Sequence, residues 1–299
     1  MRINIFPVVL LFIISCKEKS NAPIRAELWG KGKVSTEAPE FAITFNTDQT
    51  KAYFNRTSKD RSSMKIMYSE NQDDVWSEAK TLPFSTGEYR DVDPFLTLDN
   101  KRLYFSSNRP LGNNNDKRVF NTWYVDKVKG KWSDPVNPGA PFNSDSTDIF
   151  VTISKSKNAY FVSERDGERG IVVSKFKNGE YQTVEKVVLK LNGKPIYASN
   201  PCISSDEKFL IVAARDPEGN GAPDLFVSWN QKGQWSELIN LGSKVNSSYA
   251  DFAPALSKDD KILFFTSERP GIVPEQEEGI RPPGDIHYVD LKSVLTTLE

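Results

Sequence analysis

The sequence predicts an all-β chain folded as a five-bladed β-propeller of four-stranded antiparallel blades. Two repeat spacings and one displaced aromatic carry that expectation. An arginine closes a short apolar run five times, at Arg56, Arg109, Arg165, Arg215 and Arg269, at intervals of 53, 56, 50 and 54 residues. An aromatic trails it at Trp76, Trp132, Tyr181 and Trp235, by 20, 23, 16 and 20 residues. Repeats of about 40–50 residues with four strands each are the pattern of propeller blades. The fifth unit has no trailing aromatic, and Trp29 stands alone ahead of the first. A linear stack has no use for that arrangement. A closed ring does, because the leading segment 26–36 can complete the last blade.

The second unit shows the scheme most clearly. Pro94–Leu98 is a short apolar run ended by the turn Asp99-Asn100-Lys101, and Arg102–Ser106 follows, rich in strand-favouring aromatics. Asn121–Val125 makes a third strand, and Lys131-Trp132-Ser133 opens a fourth. Runs of this length between Gly, Asn, Asp and Pro read as strands, and no helical period lasts long enough to predict a helix. The ring is expected over 26–291, with units at about 37–86, 87–144, 145–193, 194–247 and 248–291, and a tail at 292–299.

Ser106-Ser107-Asn108-Arg109-Pro110, Ser267-Glu268-Arg269-Pro270 and the strands Asp224–Val227 and Asp285–Val289 resemble the WD-like repeats of TolB-type propellers. The stretch Asp93–Phe105 is similar to the same family, and the resemblance covers about residues 26–291. It implies the propeller fold; one fold hosts many functions, so it names none. The chain departs from the family in showing five units where TolB has six blades and an added α/β domain. Its third unit is also degenerate, with Tyr181 where tryptophan is expected.

Met1-Arg2 followed by the apolar stretch Ile3–Ile14 has the size of a secretory signal, too short for a membrane span of about 20 residues. Ile13-Ile14-Ser15-Cys16 resembles the bacterial lipobox, which implies a signal peptide at 1–15, acylation of Cys16 and a lipid-anchored tether at 16–25. The competing reading is an ordinary cleaved signal with an incidental cysteine. The expected location is the bacterial envelope, as an outer-membrane lipoprotein, with the leaflet left open.

Composition agrees with an exported β body. The 39 basic and 40 acidic residues nearly cancel, and no basic stretch suggests a nucleic-acid partner. Cys202 would be the one thiol left beside an acylated Cys16, and its apolar neighbours place it in the core. His287, the single histidine, lies in an alternating strand and reads as structural. One histidine and two cysteines cannot build a multi-ligand zinc site. The acidic turns lack the dense alternating oxygens of a calcium loop. No metal and no cofactor is expected.

Carboxylates are the remaining catalytic option. Glu40, Asp93, Asp148 and Asp251 each precede the innermost strand of a unit, with Asn200 in that place in the fourth. Equivalent positions of a ring face one mouth, and glycosidases hold paired carboxylates in such funnels. The competing reading is that each carboxylate fixes its turn or pairs with a repeated arginine, whose rigid fork suits a blade-to-blade clamp. Trp29, Trp76, Trp132 and Trp235 are expected to pack between the outer strands of adjacent blades. Two long connections are candidate binding loops. One carries Asn113, Asn114, Asn115 and Asp116; the other carries Val273, Glu275, Glu277 and Ile280, with Ile272, Val273 and Ile280 expected exposed. The sequence therefore points to an envelope-anchored scaffold for a protein or glycan, not an enzyme. Its alternatives are a carbohydrate-active hydrolase and a small-ligand sensor.

Overall fold

Five antiparallel sheets stand around a central axis in the computed structural model, which describes residues 22–111, 119–217, 219, 222–273 and 282–298. The inner strands are Glu40–Phe45, Asp91–Leu96, Asp148–Ile153, Ala198–Ile203 and Asp251–Leu256. Second strands follow at Lys51–Thr57, Arg102–Ser107, Ala159–Ser163, Phe209–Ala214 and Ile262–Ser267. Third strands lie at Met64–Gln72, Asn121–Val128, Gly170–Ser174, Asp224–Gln231 and Asp285–Asp290. Second strands are buried on both faces, because blade stacks on blade; all six residues of Phe209–Ala214 are buried. This is why they read as unbroken apolar runs rather than alternating ones.

The ring closes as expected. Glu27–Leu28 pairs with the last blade's third strand, Glu27 opposite Tyr288 and Leu28 opposite His287. The Trp29 N–H extends the ladder by donating to the Ile286 carbonyl at 2.8 Å. Trp29 then packs edge-on against Phe45 and Trp76 of the first blade and Phe264 of the fifth, riveting the joint.

Each inner strand carries a bulge after its second residue. The bulged residues are Ala42, Asp93, Phe150, Asn200 and Ala253, all with φ between 46° and 57°. Where the preceding blade offers an acceptor, the bulge N–H uses it: Ala42 donates to Thr266, Asp93 to Asn55 and Phe150 to Ser106. Each of these three bulges thus ties its blade to the one before.

Among the described residues two short elements depart from the all-strand expectation: a single 3-10 turn at Arg165–Gly167 and a helix at the C-terminal end. The tail begins with a short helix, Leu291–Leu295, capped by Asp290 accepting the Ser293 N–H at 2.7 Å. It forms because Leu291 and Val294 fall three residues apart and can bury together against Leu263, Phe265 and Val289. Five residues are too few for a periodic signal in the sequence.

Candidate functional site

The acidic residues that open the inner strands are structural clamps, with one exception. Glu40 accepts from the Thr36 N–H and hydroxyl at 2.9 and 2.6 Å and from Arg56 Nε at 2.6 Å. Asp148 is held the same way by Ser144 and Arg165, and Asp251 by Ser247 and Arg269. All three carboxylates are wholly buried. The arginines also donate to carbonyls of the incoming connection: Arg56 to Lys33 and Val34, Arg165 to Pro141, Arg269 to Val245. Each guanidinium therefore ties the end of a second strand both to its neighbour's carboxylate and to the chain arriving from the previous blade.

The placement of Asp93 among these acids is corrected by the structure. Its blade's clamp is Asp91, which accepts from Ser107 Oγ and Arg109 Nη2, both at 2.6 Å. Asp93 lies two residues later, at the bulge, where Ala42, Phe150, Asn200 and Ala253 stand in the other blades. The fourth blade is corrected as well: its clamp position is Ala198, not Asn200, and Arg215 is exposed rather than clamped. The four candidate carboxylates do not converge on one mouth.

What lines the channel is mostly apolar. A cavity of about 60 Å³ on the axis is bounded by all five inner strands, including Ala42, Asp93, Phe150, Cys202 and Ala253. That is room for about four waters. The bulge residues Ala42, Phe150 and Ala253 form one apolar cluster with Phe41, Ile149 and Phe252. Three charged side chains interrupt this lining: Asp93, Lys258 and Asp260, the last held by the Ser205 N–H at 2.8 Å. Asp93 is half-buried at the cavity wall, takes a hydrogen bond from Ser106, and is pushed up to about 7 by loss of solvation. Lys258 reaches from the fifth blade across to the second, where Nζ donates to the Leu96 carbonyl at 2.6 Å and sits 5.2 Å above the Phe95 ring. Burial lowers it to about 8.

Burial also raises the clamp carboxyl Glu40, to about 7 against the pull of Thr36 and Arg56, and raises Asp91 against Arg109. Cys202 is buried and its thiol is pushed up. His287 is lowered to about 4 by burial and by Arg269, so it stays neutral in the core, near the Asp285 carbonyl. Among the described residues no group of three or more His, Cys, Asp or Glu side chains comes together as for a metal ion.

The tryptophans do bridge blades: Trp29 and Trp76 meet between outer strands as expected, whereas Trp132 and Trp235 reach the neighbour's second strand. Trp132 meets Tyr53 at 6.0 Å and Trp235 meets Tyr160 at 6.2 Å, both edge-on, while Trp76 packs on Trp29. Of the candidate loop residues, only Val273 is described. It is half-buried, as is Ile272, whose N–H donates to Asp285. Cys16, Asn113, Asn114, Asn115, Asp116, Glu275, Glu277 and Ile280 lie outside the described residues.

A signal that sequence reading missed runs through the clamps. A Ser or Asn followed by Ser or Thr comes just before each clamp acid: Ser35-Thr36 before Glu40, Ser85-Thr86 before Asp91, Asn143-Ser144 before Asp148, Asn246-Ser247 before Asp251. The first residue of each pair bonds the preceding blade's third strand: Ser85 accepts from Ile66, Asn143 from Thr122, Asn246 from Leu225 and Ser35 from Ile286. In the first, third and fifth blades the next residue donates to the acid. The fourth unit lacks the pattern and also lacks the clamp.

No protein-family model matches the chain, and no curated protein matches it. Solved structures do. TolB from Acinetobacter baumannii aligns at TM-score 0.50 and 12% identity over 85% of this chain, which spans only 55% of that one. An α-L-arabinofuranosidase from Lactobacillus brevis aligns at TM-score 0.52 and 12% identity, covering 89% of this chain and 91% of its own. A family-43 endo-arabinanase from Bacillus licheniformis aligns at TM-score 0.52 and 14% identity, covering 87% and 95%. At such identities the likeness is one of fold, and it supports the TolB-type propeller. It also corrects the expectation that the chain is not an enzyme. The same ring, at nearly full length, is the body of named glycoside hydrolases, so the architecture gives no ground for excluding catalysis.

Proposed function

We propose that this chain is an envelope-tethered propeller, anchored through Cys16, whose ring presents a binding surface to a glycan or protein partner. The observation that supports it most is the use made of the repeated charges. Glu40, Asp91, Asp148 and Asp251 are bound to arginines inside the framework, so the ring is a rigid support whose differences between blades lie on its seams and loops. Rigid scaffolds with variable edges suit recognition, because little order is lost on binding. The test is crosslinking in the native envelope followed by mass spectrometry, beside a glycan array probed with the purified chain. Recovery of no specific partner by either route sinks the proposal. A Cys16→Ala variant that still fractionates with membranes sinks the anchor alone.

A second reading draws on Asp93. A carboxyl held near 7 is protonated often enough at neutral pH to serve as a general acid, and of the four candidates it alone lines the channel. Glycan hydrolysis abolished by Asp93→Asn, with thermal stability kept, would favour this reading. Hydrolysis unaffected by that change, or absent from the unmodified chain, would remove it.

A further inference from the structure

The seam between the second and third blades is built differently from the others. Between the fourth and fifth blades Leu291 and Val294 of the short helix fill the junction, and at the three other seams an outer-strand tryptophan does so: Trp76 beside Trp29, Trp132 against Tyr53 and Trp235 against Tyr160. Here Tyr181 takes that place. Its ring turns to Phe142 and Phe176, at 4.7 and 5.0 Å, and it meets Tyr104 through a hydrogen bond between the phenol groups. The smaller ring and the hydroxyl bridge leave space on either side. One cavity of about 570 Å³ and another of about 410 Å³ open there, and both are lined by Arg102, Tyr104 and Tyr181. Together they make a two-lobed cleft of ligand-binding size.

The charge of the cleft is uneven. Lys101, Lys127, Lys155 and Lys157 line the larger lobe; among the described residues none of the four forms an ion pair, and Lys127 and Lys157 sit 5.6 and 4.9 Å from the centres of the Trp132 and Phe176 rings. Arg102 is committed: it holds Asp126 through two bonds of 2.7 and 2.8 Å and stacks 3.8 Å from the centre of the Tyr124 ring. Setting that pair aside leaves four ammonium groups against Asp99 and Glu180, on a chain whose overall charge is −1. Half-buried rings stand beside the cations: Phe176 in the larger lobe, Tyr124 in the smaller and Tyr181 shared by both.

We infer that this cleft binds an anionic oligosaccharide, a short chain of sugars carrying carboxylates. The ammonium groups would take the carboxylates by charge-assisted hydrogen bonds. The aromatic faces would take the apolar C–H faces of the rings, and the phenols the hydroxyls. Two lobes joined across the Tyr104–Tyr181 bridge fit consecutive sugar units better than one compact anion. An acidic peptide would satisfy the lysines but would make no special use of the rings. The inference deepens the binding reading above and names a ligand class and a place for it.

The test is isothermal titration calorimetry on the full chain in detergent, with a hexameric oligogalacturonate as the probe. A neutral galacto-oligosaccharide of equal length and a poly-glutamate peptide serve as comparators. Binding of the oligogalacturonate should weaken with added salt and exceed both comparators. Lys101→Ala with Lys155→Ala, both exposed and outside the core, should weaken it by about tenfold or more. Tyr181→Trp, which restores the residue of three other seams and changes no charge, should weaken it while leaving thermal stability intact. Equal binding of poly-glutamate or of the neutral sugar overturns the ligand class. Undiminished binding in both variants overturns the cleft, and the binding reading then survives on another surface. A chain that binds no glycan at all, on the array or here, takes down the glycan half of both.

Discussion

Replacing Asp93 with Asn should make the protein less sensitive to pH, and the size of the change can be worked out. Asp93 has an ordinary value of 3.8 and is raised to about 7 in the folded ring, where burial is opposed only by the Ser106 hydroxyl. Below pH 3.8 the carboxyl is protonated both folded and unfolded and contributes nothing. Between 3.8 and 7 the unfolded chain gives up the proton while the folded chain keeps it, so stability falls as pH rises. Above 7 both forms are ionised and the penalty is constant. At 1.36 kcal/mol per unit, the shift corresponds to a penalty of about 4 kcal/mol at pH 8. Asparagine has the same shape and already occupies the matching bulge as Asn200, with φ of 50° against 57° at Asp93. The assay is urea denaturation of both proteins from pH 4 to pH 9. Other groups also titrate there, Glu40 and Asp285 in the same sense and His287 in the opposite one, so the quantity to read is the difference between the two proteins. Asp93→Asn should match the unmodified chain at pH 4 and exceed it by a few kcal/mol at pH 8. A constant difference would show that Asp93 titrates normally. A less stable variant at pH 8 would refute the reasoning outright, since it would mean that ionised Asp93 is stabilised by a cation, with Lys258 in the same cavity the first suspect.

The clamps give the next set of outcomes. Asp251→Ala should cost about 3–5 kcal/mol in chemical denaturation, because it leaves Arg269 largely buried without its anion. Asp251→Ala with Arg269→Ala should cost less than the two single changes summed; additivity would show that the pair does not act as a unit. Trp235→Ala should cost about 2–3 kcal/mol, below the ~3–5 of a fully buried tryptophan because this one is half-buried at its seam. A loss under about 1 kcal/mol would mean the ring merely covers the joint. Removing residues 1–36 takes away Trp29, the closing strand and the carbonyls held by Arg56, so the thermal transition should broaden or vanish. A sharp transition near the original temperature would show that closure adds little.

The ring was legible because its repeat is written in residues that do the same job in most blades: four of the five arginines hold a clamp acid. The arginine at each second-strand end and the aromatic on each outer strand recur at blade spacing because every seam must be tied, and the orphan Trp29 betrays the closure. The site was less legible, for a geometric reason. In the second blade Asp93 stands at the bulge where its neighbours have apolar Ala42 and Phe150, so counting back from the apolar run stops two residues late at Asp93 there and at the clamp acid in its neighbours. The register could have been recovered from the Ser/Asn-Ser/Thr pair ahead of each acid, a pattern whose function shows only when its partner strand is known to lie in the previous blade. The helix at Leu291–Leu295 and the hydroxyl bridge at Tyr181 were hidden for the same reason: each depends on what lies across a seam, not on its own neighbours in sequence.

This has a consequence for where function is sought in such a ring. Features that repeat in every blade are bound by the need to hold the ring together, and their charges are cancelled at short range. Glu40, Asp148 and Asp251 could not leave their arginines to act on a ligand without loosening the connection each arginine also holds. The positions free to act are those where one blade breaks the rule and the ring still closes. Three stand out: Asp93 among apolar bulge residues and Asn200, Ala198 in the clamp position of the blade whose Arg215 is exposed, and Tyr181 where an outer-strand tryptophan fills three other seams. Of the three, the last opens a cleft lined by four lysines that form no ion pair among the described residues. If recognition is built from a departure in the repeat, that seam is where substitutions should change binding without changing stability, and the clamps are where the reverse should hold.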